Sequence, residues 1–304
     1  MDVEAYLLDR GRLVDGGLAQ VLPPEDTYPS TIHQAMRHSV FAGGKRLRPI
    51  LVIASAEAVG ASAEMVLPTA CAVELIHTYS LIHDDLPSMD DSDTRRGRPT
   101  CHVVFGEAMA VLAGDALHAL AFDLLTRNET AAGPERALRV TQEIARAIGT
   151  QGMVGGQVLD LLGEGVAEGI RRLPEPVPIE QLVHDIHRRK TAALICACVR
   201  AGGLLAGASR EELDALTRYG QDLGLAFQIV DDILDVVGEE AVLGKRAGGD
   251  AVQAKLTFPA VFGMQGSSAR AREATVRAIG ALEVLGPRAE LLAGIAGFLL
   301  ERAR

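Results

Sequence analysis

The chain has 304 residues, 48% of them hydrophobic and 23% charged, a composition typical of a globular protein that can bury a substantial core. Its formal net charge of −10 argues against a nucleic-acid binder, because phosphate recognition needs a basic face. The start, Met1 to Glu4, lacks the basic and then apolar pattern of a signal peptide, so we expect a cytoplasmic protein.

Apolar residues recur at helical spacing along most of the chain, which predicts an all-α fold. Leu67, Cys71, Leu75 and Ile82 show this spacing before a first acidic cluster, and the segment 223–230 shows it before a second. We predict one domain over residues 1–304, because the two clusters can meet only if everything between them folds as one body. The segment 102–105 is too isolated to build a sheet. Gly, Pro and small polar residues predict loops at Leu22–Pro24, Asn128–Pro134, Gly163–Pro178, Gly238–Gly249 and Gly266–Ser268.

The most membrane-like segment, Thr191–Ala208, carries Arg200 in its middle. A charge at the centre of a membrane helix costs about 2.5–3.5 kcal/mol on the insertion scale, so we predict a buried helix pair and no membrane span. The four cysteines form no Cys-x-x-Cys pair, and we expect reduced, packed thiols.

Two acidic clusters dominate the sequence, and each follows an apolar helical segment. The first is DDLPSMD at Asp84–Asp90, and the second is DDILD at Asp231–Asp235. A close pair of carboxylates costs about 1 kcal/mol at 4 Å in water and about 4 kcal/mol at an effective dielectric of 20. A chain keeps such groups together most readily around divalent cations.

In the first cluster, Pro87 is expected to end the helix just after Asp84 and Asp85. Both carboxylates would then lie at the negative end of the helix dipole, where a cation is favoured. The loop that follows would return Asp90 and Asp91 toward them.

In the second cluster, Asp231 and Asp235 lie four residues apart on one helix face, with Asp232 beside them. Such oxygen ligands suit Mg²⁺, which leaves coordination positions for water and phosphate oxygens. A single acidic run could equally be a solvated helix end, but two runs after apolar helices favour one shared metal site.

Two basic segments could hold phosphate. The loop Gly43–Pro49 joins two glycines to three cations, and Arg95 and Arg96 follow the first acidic cluster. Arg gives a bidentate fork and Lys a point charge, so the mixture fits a diphosphate. Each segment alone is more typical of a solvated surface patch, so their value lies in their occurrence with the acidic clusters.

With these motifs, the chain resembles the trans-isoprenyl diphosphate synthases over nearly its whole length, and is especially similar to bacterial farnesyl diphosphate synthases. The resemblance rests on the ordered segments Gly43–Pro49, Glu74–Cys101, Gly156–Asp160, Lys190–Thr191, Phe227–Asp235, Gly244–Lys245 and Lys255–Pro259.

The resemblance implies a bundle of about ten helices around a deep apolar cavity, usually in a homodimer. It implies that dimethylallyl and then geranyl diphosphate bind through three Mg²⁺ ions, with Mn²⁺ as an alternative metal. The implied metal-binding residues are Asp84, Asp85, Asp90 and Asp231, with Asp232 and Asp235 in support. Those implied for the allylic diphosphate are Arg95, Lys190, Lys245 and Lys255. Those implied for isopentenyl diphosphate are Gly44, Lys45, Arg48, His77 and Arg96, and Thr191 and Gln228 would line the reacting end.

Product length is expected to depend on Tyr79 and the adjacent Ser80. Tyr79 lies five residues before Asp84, about 7.5 Å of helical rise deeper into the cavity, where a ring can form a floor. The resemblance implies a fifteen-carbon product, because bacterial farnesyl synthases carry an aromatic residue here and a two-residue enlargement such as Pro87-Ser88.

The sequence departs from the family pattern at three places. Gly249 and Phe258 stand where a Lys and a Tyr are common, and the segment 163–178 is longer than usual. These departures bear on how the loop around Lys245 closes.

Other interpretations stay open at this point. Geranylgeranyl diphosphate synthase is the nearest alternative product class. His83-Asp84 is also similar to His-Asp metal phosphohydrolases, although that leaves the second cluster unexplained. A non-catalytic synthase-like subunit would be expected to lack aspartates that are present here. Of the other histidines, His83 is expected to make a structural hydrogen bond, and His184 and His187 to lie at the surface.

Overall fold

The structure, a computed structural model, describes residues 2–163, 177–237 and 256–301. Within these ranges almost every element is a helix, so the predicted all-α class is confirmed. The helices are α1 (Val3–Val21), α2 (Ser30–Val40), α3 (Leu47–Val59), α4 (Ala63–Asp84), α5 (Cys101–Phe105), α6 (Glu107–Thr126), α7 (Glu129–Ala132), α8 (Pro134–Ile148), α9 (Met153–Gly163), α10 (Ile179–His187), α11 (Ala193–Ala206), α12 (Arg210–Val237), α13 (Phe258–Ala281) and α14 (Glu290–Glu301). A π-helical turn, Arg188–Ala192, joins α10 to α11, and a 3₁₀ helix, Glu283–Ala289, precedes α14.

The centre of the bundle is formed by α3, α4 and α11, which are buried along most of their length. Helices that are apolar on every side are typical of a protein core. α11 packs so closely on α3 that a Cβ on Gly202 would lie 2.1 Å from the carbonyl oxygen of Val52. Arg200 of α11 pairs with Glu143 of α8 at 2.7 Å. Most of the segment 191–208 is therefore buried, as predicted, but it forms the single helix α11 and not a pair of helices.

The two acidic clusters lie on α4 and α12. α4 ends at Asp84, three residues before Pro87, as the sequence predicts. After it comes a short hairpin that the sequence analysis did not predict, formed by β1 (Thr94–Arg95) and β2 (Arg98–Pro99). Its two turn residues, Arg96 and Gly97, have φ values of 53° and 72°, the left-handed conformation that a two-residue hairpin turn requires.

Two predicted loops are wrong, and the first of them, Asn128–Pro134, contains the short helix α7. The segment 266–268 lies inside α13, and the chain bends instead at Gly263, which has a φ of 69°. A positive φ is readily adopted by glycine, while Ser267 remains helical and donates to the carbonyl oxygen of Gly263 at 2.8 Å. The segment 163–178 falls almost wholly outside the described residues and 238–249 entirely so, and the single domain stays a prediction.

Two described segments, Ala63–Asp84 and Glu107–Ala132, have the length and hydropathy of a membrane span. Their most apolar windows are 61% and 39% buried, respectively, inside the protein. Core helices of the same length give the same signature, so this feature is weak support for a membrane span.

Candidate active site

The two acidic clusters line one cavity of about 980 Å³, with Asp84 and Asp90 on one wall and Asp231 and Asp232 on another. Within the described ranges, no three acidic, histidine or cysteine side chains lie near enough together to enclose a metal ion by themselves. The carboxylates therefore fit Mg²⁺ only as ligands from two walls, with the remaining positions filled by water and phosphate oxygens. This is the coordination that Mg²⁺ usually takes at phosphate-binding sites.

The loop after α4 curls back so that Asp90 lies beside Asp84. The main-chain N–H of Asp90 donates to the carbonyl oxygen of Asp84 at 2.8 Å, and that of Ser92 donates to the carbonyl oxygen of Asp85 at 3.1 Å. The turn Leu86–Met89 is closed by a hydrogen bond of 2.9 Å from the main-chain N–H of Met89 to the carbonyl oxygen of Leu86. The loop thus returns the last aspartate of the cluster to the first, as the sequence predicts.

Asp85 does not line the cavity but turns toward the hairpin. Its carboxylate is buried and accepts hydrogen bonds from Arg95 Nε at 2.8 and 3.0 Å, and Arg95 Nη2 lies 2.7 Å away. Burial raises the pKa of Asp85, and the Arg95 charge opposes this rise. Arg95 also lines the cavity, and its bond to Asp85 holds it there on the side of the first acidic cluster.

Asp232 of the second cluster has three polar partners on different elements. It accepts from Gln228 Nε2 at 3.0 Å and from the main-chain N–H of Phe258 at 2.9 Å, and it lies 3.2 Å from His187 Nε2. Asp235 is buried and lies away from the cavity wall. The expectation that His187 lies at the surface is wrong, because this residue is 4% exposed and packs on Phe258.

Lys190 and Thr191 reach the cavity from the π-helical turn between α10 and α11. Such turns occur frequently at functional sites. Lys190 Nζ lies 2.5 Å from Asp160 of α9, and although burial opposes protonation, this carboxylate raises the pKa of Lys190 above its usual value. Thr191 donates to Gln228 Oε1 at 2.7 Å. No functional role was predicted for Asp160, whose only signal was its place in the Gly156–Asp160 segment.

α9 approaches this turn closely because of Gly156. A Cβ at that position would lie 2.2 Å from the main-chain nitrogen of Lys190, a distance that no real contact allows. A glycine is therefore needed where the two segments meet.

Positive side chains form a further part of the wall, where Arg48, His77 and Arg96 line the cavity. Burial and the charges of Arg48 and Arg96 lower the pKa of His77 well below its usual value. Arg96 donates to the carbonyl oxygen of Gly43, and a Cβ on Gly44 would lie 2.5 Å from its guanidinium. Gly44 thus leaves room for the arginine.

Two other residues of the basic loop, Lys45 and Arg46, do not line the cavity. Lys45 is exposed, whereas Arg46 is buried and bonded to Asp15 and Glu74. Lys245 and Lys255, as well as Gly249, lie outside the described residues.

Tyr79 and Ser80 both line the cavity. The Tyr79 ring lies 4.8 Å from the ring of His118, which meets Phe122 edge-on at 5.1 Å. Burial, with the nearby Asp84 charge, raises the pKa of Tyr79 to about 12. His83 makes the structural hydrogen bond expected of it, with Nε2 3.1 Å from the carbonyl oxygen of Val111.

The chain matches a known family in sequence and in fold. The family model described as polyprenyl synthetase matches residues 29–283. Geranylgeranyl pyrophosphate synthase 12 of Arabidopsis thaliana, a chloroplastic protein, is 48% identical over 88% of this chain and 72% of its own. Geranylgeranyl diphosphate synthase of Cyanophora paradoxa is 41% identical over 98% of this chain and 95% of its own.

Solved structures agree with this match. An FPP/GFPP synthase from Zymomonas mobilis superposes with a TM-score of 0.84 at 35% identity, covering 98% of this chain and 99% of that one. A putative farnesyl-diphosphate synthase from a Marinomonas species superposes with a TM-score of 0.78 at 37% identity, covering 99% of both chains. The predicted resemblance to isoprenyl diphosphate synthases is confirmed, and the chain belongs to the polyprenyl synthetase family of prenyltransferases.

Proposed function

We propose that this protein is a Mg²⁺-dependent short-chain isoprenyl diphosphate synthase that adds isopentenyl diphosphate to dimethylallyl and then geranyl diphosphate, with (E,E)-farnesyl diphosphate as its product. The observation that carries the proposal is one cavity in which carboxylates from α4 and α12 lie with basic side chains, and which Tyr79 also lines. Neither a phosphohydrolase nor a non-catalytic subunit accounts for this combination.

The metal ions would be held by Asp84, Asp90 and Asp231, whose carboxylates line the cavity. When bound, Mg²⁺ or Mn²⁺ would neutralise the charge that develops on the leaving diphosphate of the allylic substrate. Lys190 and Arg95 would bind the same diphosphate, and each is already oriented by an aspartate, Asp160 or Asp85. Positive groups held in place in this way stabilise developing charge without reorganising.

Isopentenyl diphosphate would lie against Arg48, His77 and Arg96. Arg48 Nε is buried and makes no hydrogen bond within the described residues, a costly arrangement that a phosphate oxygen would relieve. With its pKa depressed, His77 is neutral at physiological pH and would contribute as a hydrogen-bonding group. Arg48, His77 and Arg96 together thus support binding of a diphosphate without a metal.

The apolar part of the cavity would hold the hydrocarbon chains and exclude water from the carbocation. The isopentenyl double bond would attack that cation, and loss of a proton would complete the condensation. No protein base is assigned to that proton, which the departing diphosphate could accept.

Product length is the part of the proposal on which the relatives differ. The similar plant proteins are named geranylgeranyl synthases, which favours a twenty-carbon product, whereas the two similar structures are named an FPP/GFPP synthase and a putative farnesyl-diphosphate synthase. We propose farnesyl diphosphate because the Tyr79 ring, which lines the cavity, packs on His118, and His118 packs on Phe122, so these contacts would hold the Tyr79 ring in place as the floor.

The test is incubation of the purified protein with Mg²⁺ and radiolabelled isopentenyl diphosphate plus dimethylallyl diphosphate, followed by dephosphorylation and chromatography. Wild type and Tyr79→Phe are expected to give a fifteen-carbon alcohol, and Tyr79→Ala longer ones. A twenty-carbon product from wild type would establish the geranylgeranyl alternative. No product, or full turnover after chelation of divalent metals, would contradict the proposed chemistry.

We also propose a homodimer in the cytoplasm. Val103, Val104, Val111 and Leu112 of α5 and α6 are 41–54% exposed, an apolar face that a second copy could cover. The four cysteines are buried and free, which is usual in a reducing compartment. The dimer interface on α5 and α6 is tested by light scattering. Leu112→Glu should be a monomer, whereas Val276→Glu, at an exposed apolar position on α13, should remain dimeric. A dimeric Leu112→Glu would contradict this interface.

A further inference from the structure

A series of polar contacts links His187 through Asp232 and Gln228 to Thr191, and all four residues line the cavity. His187 Nε2 lies 3.2 Å from Asp232 Oδ2, Gln228 Nε2 donates to Asp232 Oδ1 at 3.0 Å, and Thr191 Oγ1 donates to Gln228 Oε1 at 2.7 Å. His187 and Asp232 are 4% and 2% exposed, so water competes little for these contacts.

Asp232 determines which atoms donate and which accept in these contacts. An ionised carboxylate only accepts hydrogen bonds, so the nitrogen of the Gln228 amide must face Asp232, and its oxygen must face Thr191. By the same rule, Nε2, the ring nitrogen of His187 that faces Asp232, carries a proton. A change in how Asp232 is held would therefore reach the end of Gln228 that faces Thr191.

His187 ties together two parts of the site. It is the last residue of α10 and directly precedes the π-helical turn that carries Lys190 and Thr191, while its ring contacts Asp232 of α12. Asp232 also accepts from the main-chain N–H of Phe258 at 2.9 Å. A variant that lacks His187 would thus keep the hydrogen bond from Phe258 to Asp232. We therefore expect the variant to fold, with the contacts from Asp232 to Gln228 and Thr191 altered.

We propose that His187 is a positioning residue for the condensation: it holds Asp232 so that Gln228 keeps its carboxamide oxygen toward Thr191. This inference rests on the proposed function, because the oxygen end of the amide favours a nearby carbocation and the NH₂ end opposes it. The effect belongs to the transition state, so it should lower kcat more than it changes KM.

His184 provides a matched control one helical turn earlier. Its ring meets Phe258 edge-on at 4.9 Å, much as the His187 ring lies 5.0 Å from the same residue. Both residues are described, and the structure gives His184 no polar contact with Asp232, whereas His187 Nε2 lies 3.2 Å from it. Both histidines therefore pack on Phe258, but only His187 contacts Asp232.

The experiment compares His187→Phe and His187→Gln with His184→Phe and His184→Gln in the full chain. His187→Phe should lower kcat by about 10- to 100-fold, the usual effect of removing an outer hydrogen-bond partner, with KM for isopentenyl diphosphate changed less than about twofold. His187→Gln, which keeps a donor, should recover most of the loss, and both His184 variants should stay close to wild type. A wild-type kcat for His187→Phe, no recovery in His187→Gln, or an equal loss in His184→Phe would overturn the inference.

A crystal structure of His187→Phe gives a readout that does not depend on turnover. We expect the Asp232 carboxylate to rotate and the Gln228–Thr191 hydrogen bond to break, whereas unchanged positions of both side chains would refute the positioning role. If wild type makes no prenyl product, the proposed function fails, and this structural comparison still decides whether His187 orders these contacts.

Discussion

The buried ion pair between Arg46 and Glu74 yields a quantitative prediction about the loop that precedes α3. Arg46 Nη1 lies 2.7 Å from Glu74 Oε1, and the two side chains are only 4% and 3% exposed. Arg46 Nη2 donates to the carbonyl oxygen of Val40 at 2.8 Å. Its third partner, Asp15, is different, because that side chain is 52% exposed.

The energetic cost follows from these exposures. Arg46→Met leaves the Glu74 charge buried without its partner, which should lower the free energy of unfolding by about 3–5 kcal/mol. Asp15→Asn removes a contact that water already screens and should cost about 0–1 kcal/mol. In Arg46→Met combined with Glu74→Leu both charges are gone, so stability should return to within about 1–2 kcal/mol of wild type, the remainder reflecting the lost bond to Val40.

Denaturant unfolding followed by circular dichroism, with linear extrapolation to water, measures all three variants on one scale. The reasoning predicts a double variant more stable than Arg46→Met, although it has lost one more native side chain. It would be refuted if Arg46→Met lay within about 1 kcal/mol of wild type, or if the double variant were as unstable as the single one.

Three further predictions concern the cavity wall. Gly156→Ala should displace the turn that carries Lys190 and lower both activity and melting temperature, whereas Gly297→Ala, where a Cβ meets nothing within 4 Å, should change neither. Asp160→Asn should lower kcat/KM for the allylic diphosphate by about 10-fold in steady-state assays, because Lys190 loses the carboxylate that orients it; an unchanged value would contradict that role. Folding depresses the pKa of His77 well below its usual value of 6.5. As the pH is lowered through 6.5, the unfolded state therefore binds more protons than the folded state, and the free energy of unfolding should decrease. His77→Gln should make the denaturant midpoint less sensitive to pH between about 6.5 and 5, and an equal slope in wild type and variant would argue against it.

The sequence predicts the parts of this molecule that follow from local rules. Helical spacing of apolar residues indicates the class of the fold, and Pro87 indicates where α4 ends. The hairpin was missed because it depends on Arg96 adopting a positive φ, for which an arginine gives no local signal.

His187 was misplaced for a similar reason. Its spacing of three from His184 was interpreted as a surface pair, whereas both rings pack on Phe258, which is distant in sequence. The pairing of Asp160 with Lys190 also depends on α9 meeting the π-helical turn, a contact that the sequence alone does not specify.

In both Asp-Asp pairs the two carboxylates have different contacts, and helix geometry explains why. Successive residues on a helix point about 100° apart, so two adjacent aspartates do not face the same direction. Asp84 and Asp231, the first members, line the cavity. The second members each hold a neighbouring side chain: Asp85, which lies off the cavity wall, holds Arg95, and Asp232, which lines the cavity beside Asp231, holds Gln228. Each pair thus places one carboxylate where a metal could reach it and uses the next to fix a neighbouring functional side chain. On this reasoning an Asp→Asn change at either first member should weaken the response to Mg²⁺, whereas the same change at a second member should act mainly through the residue that it orients.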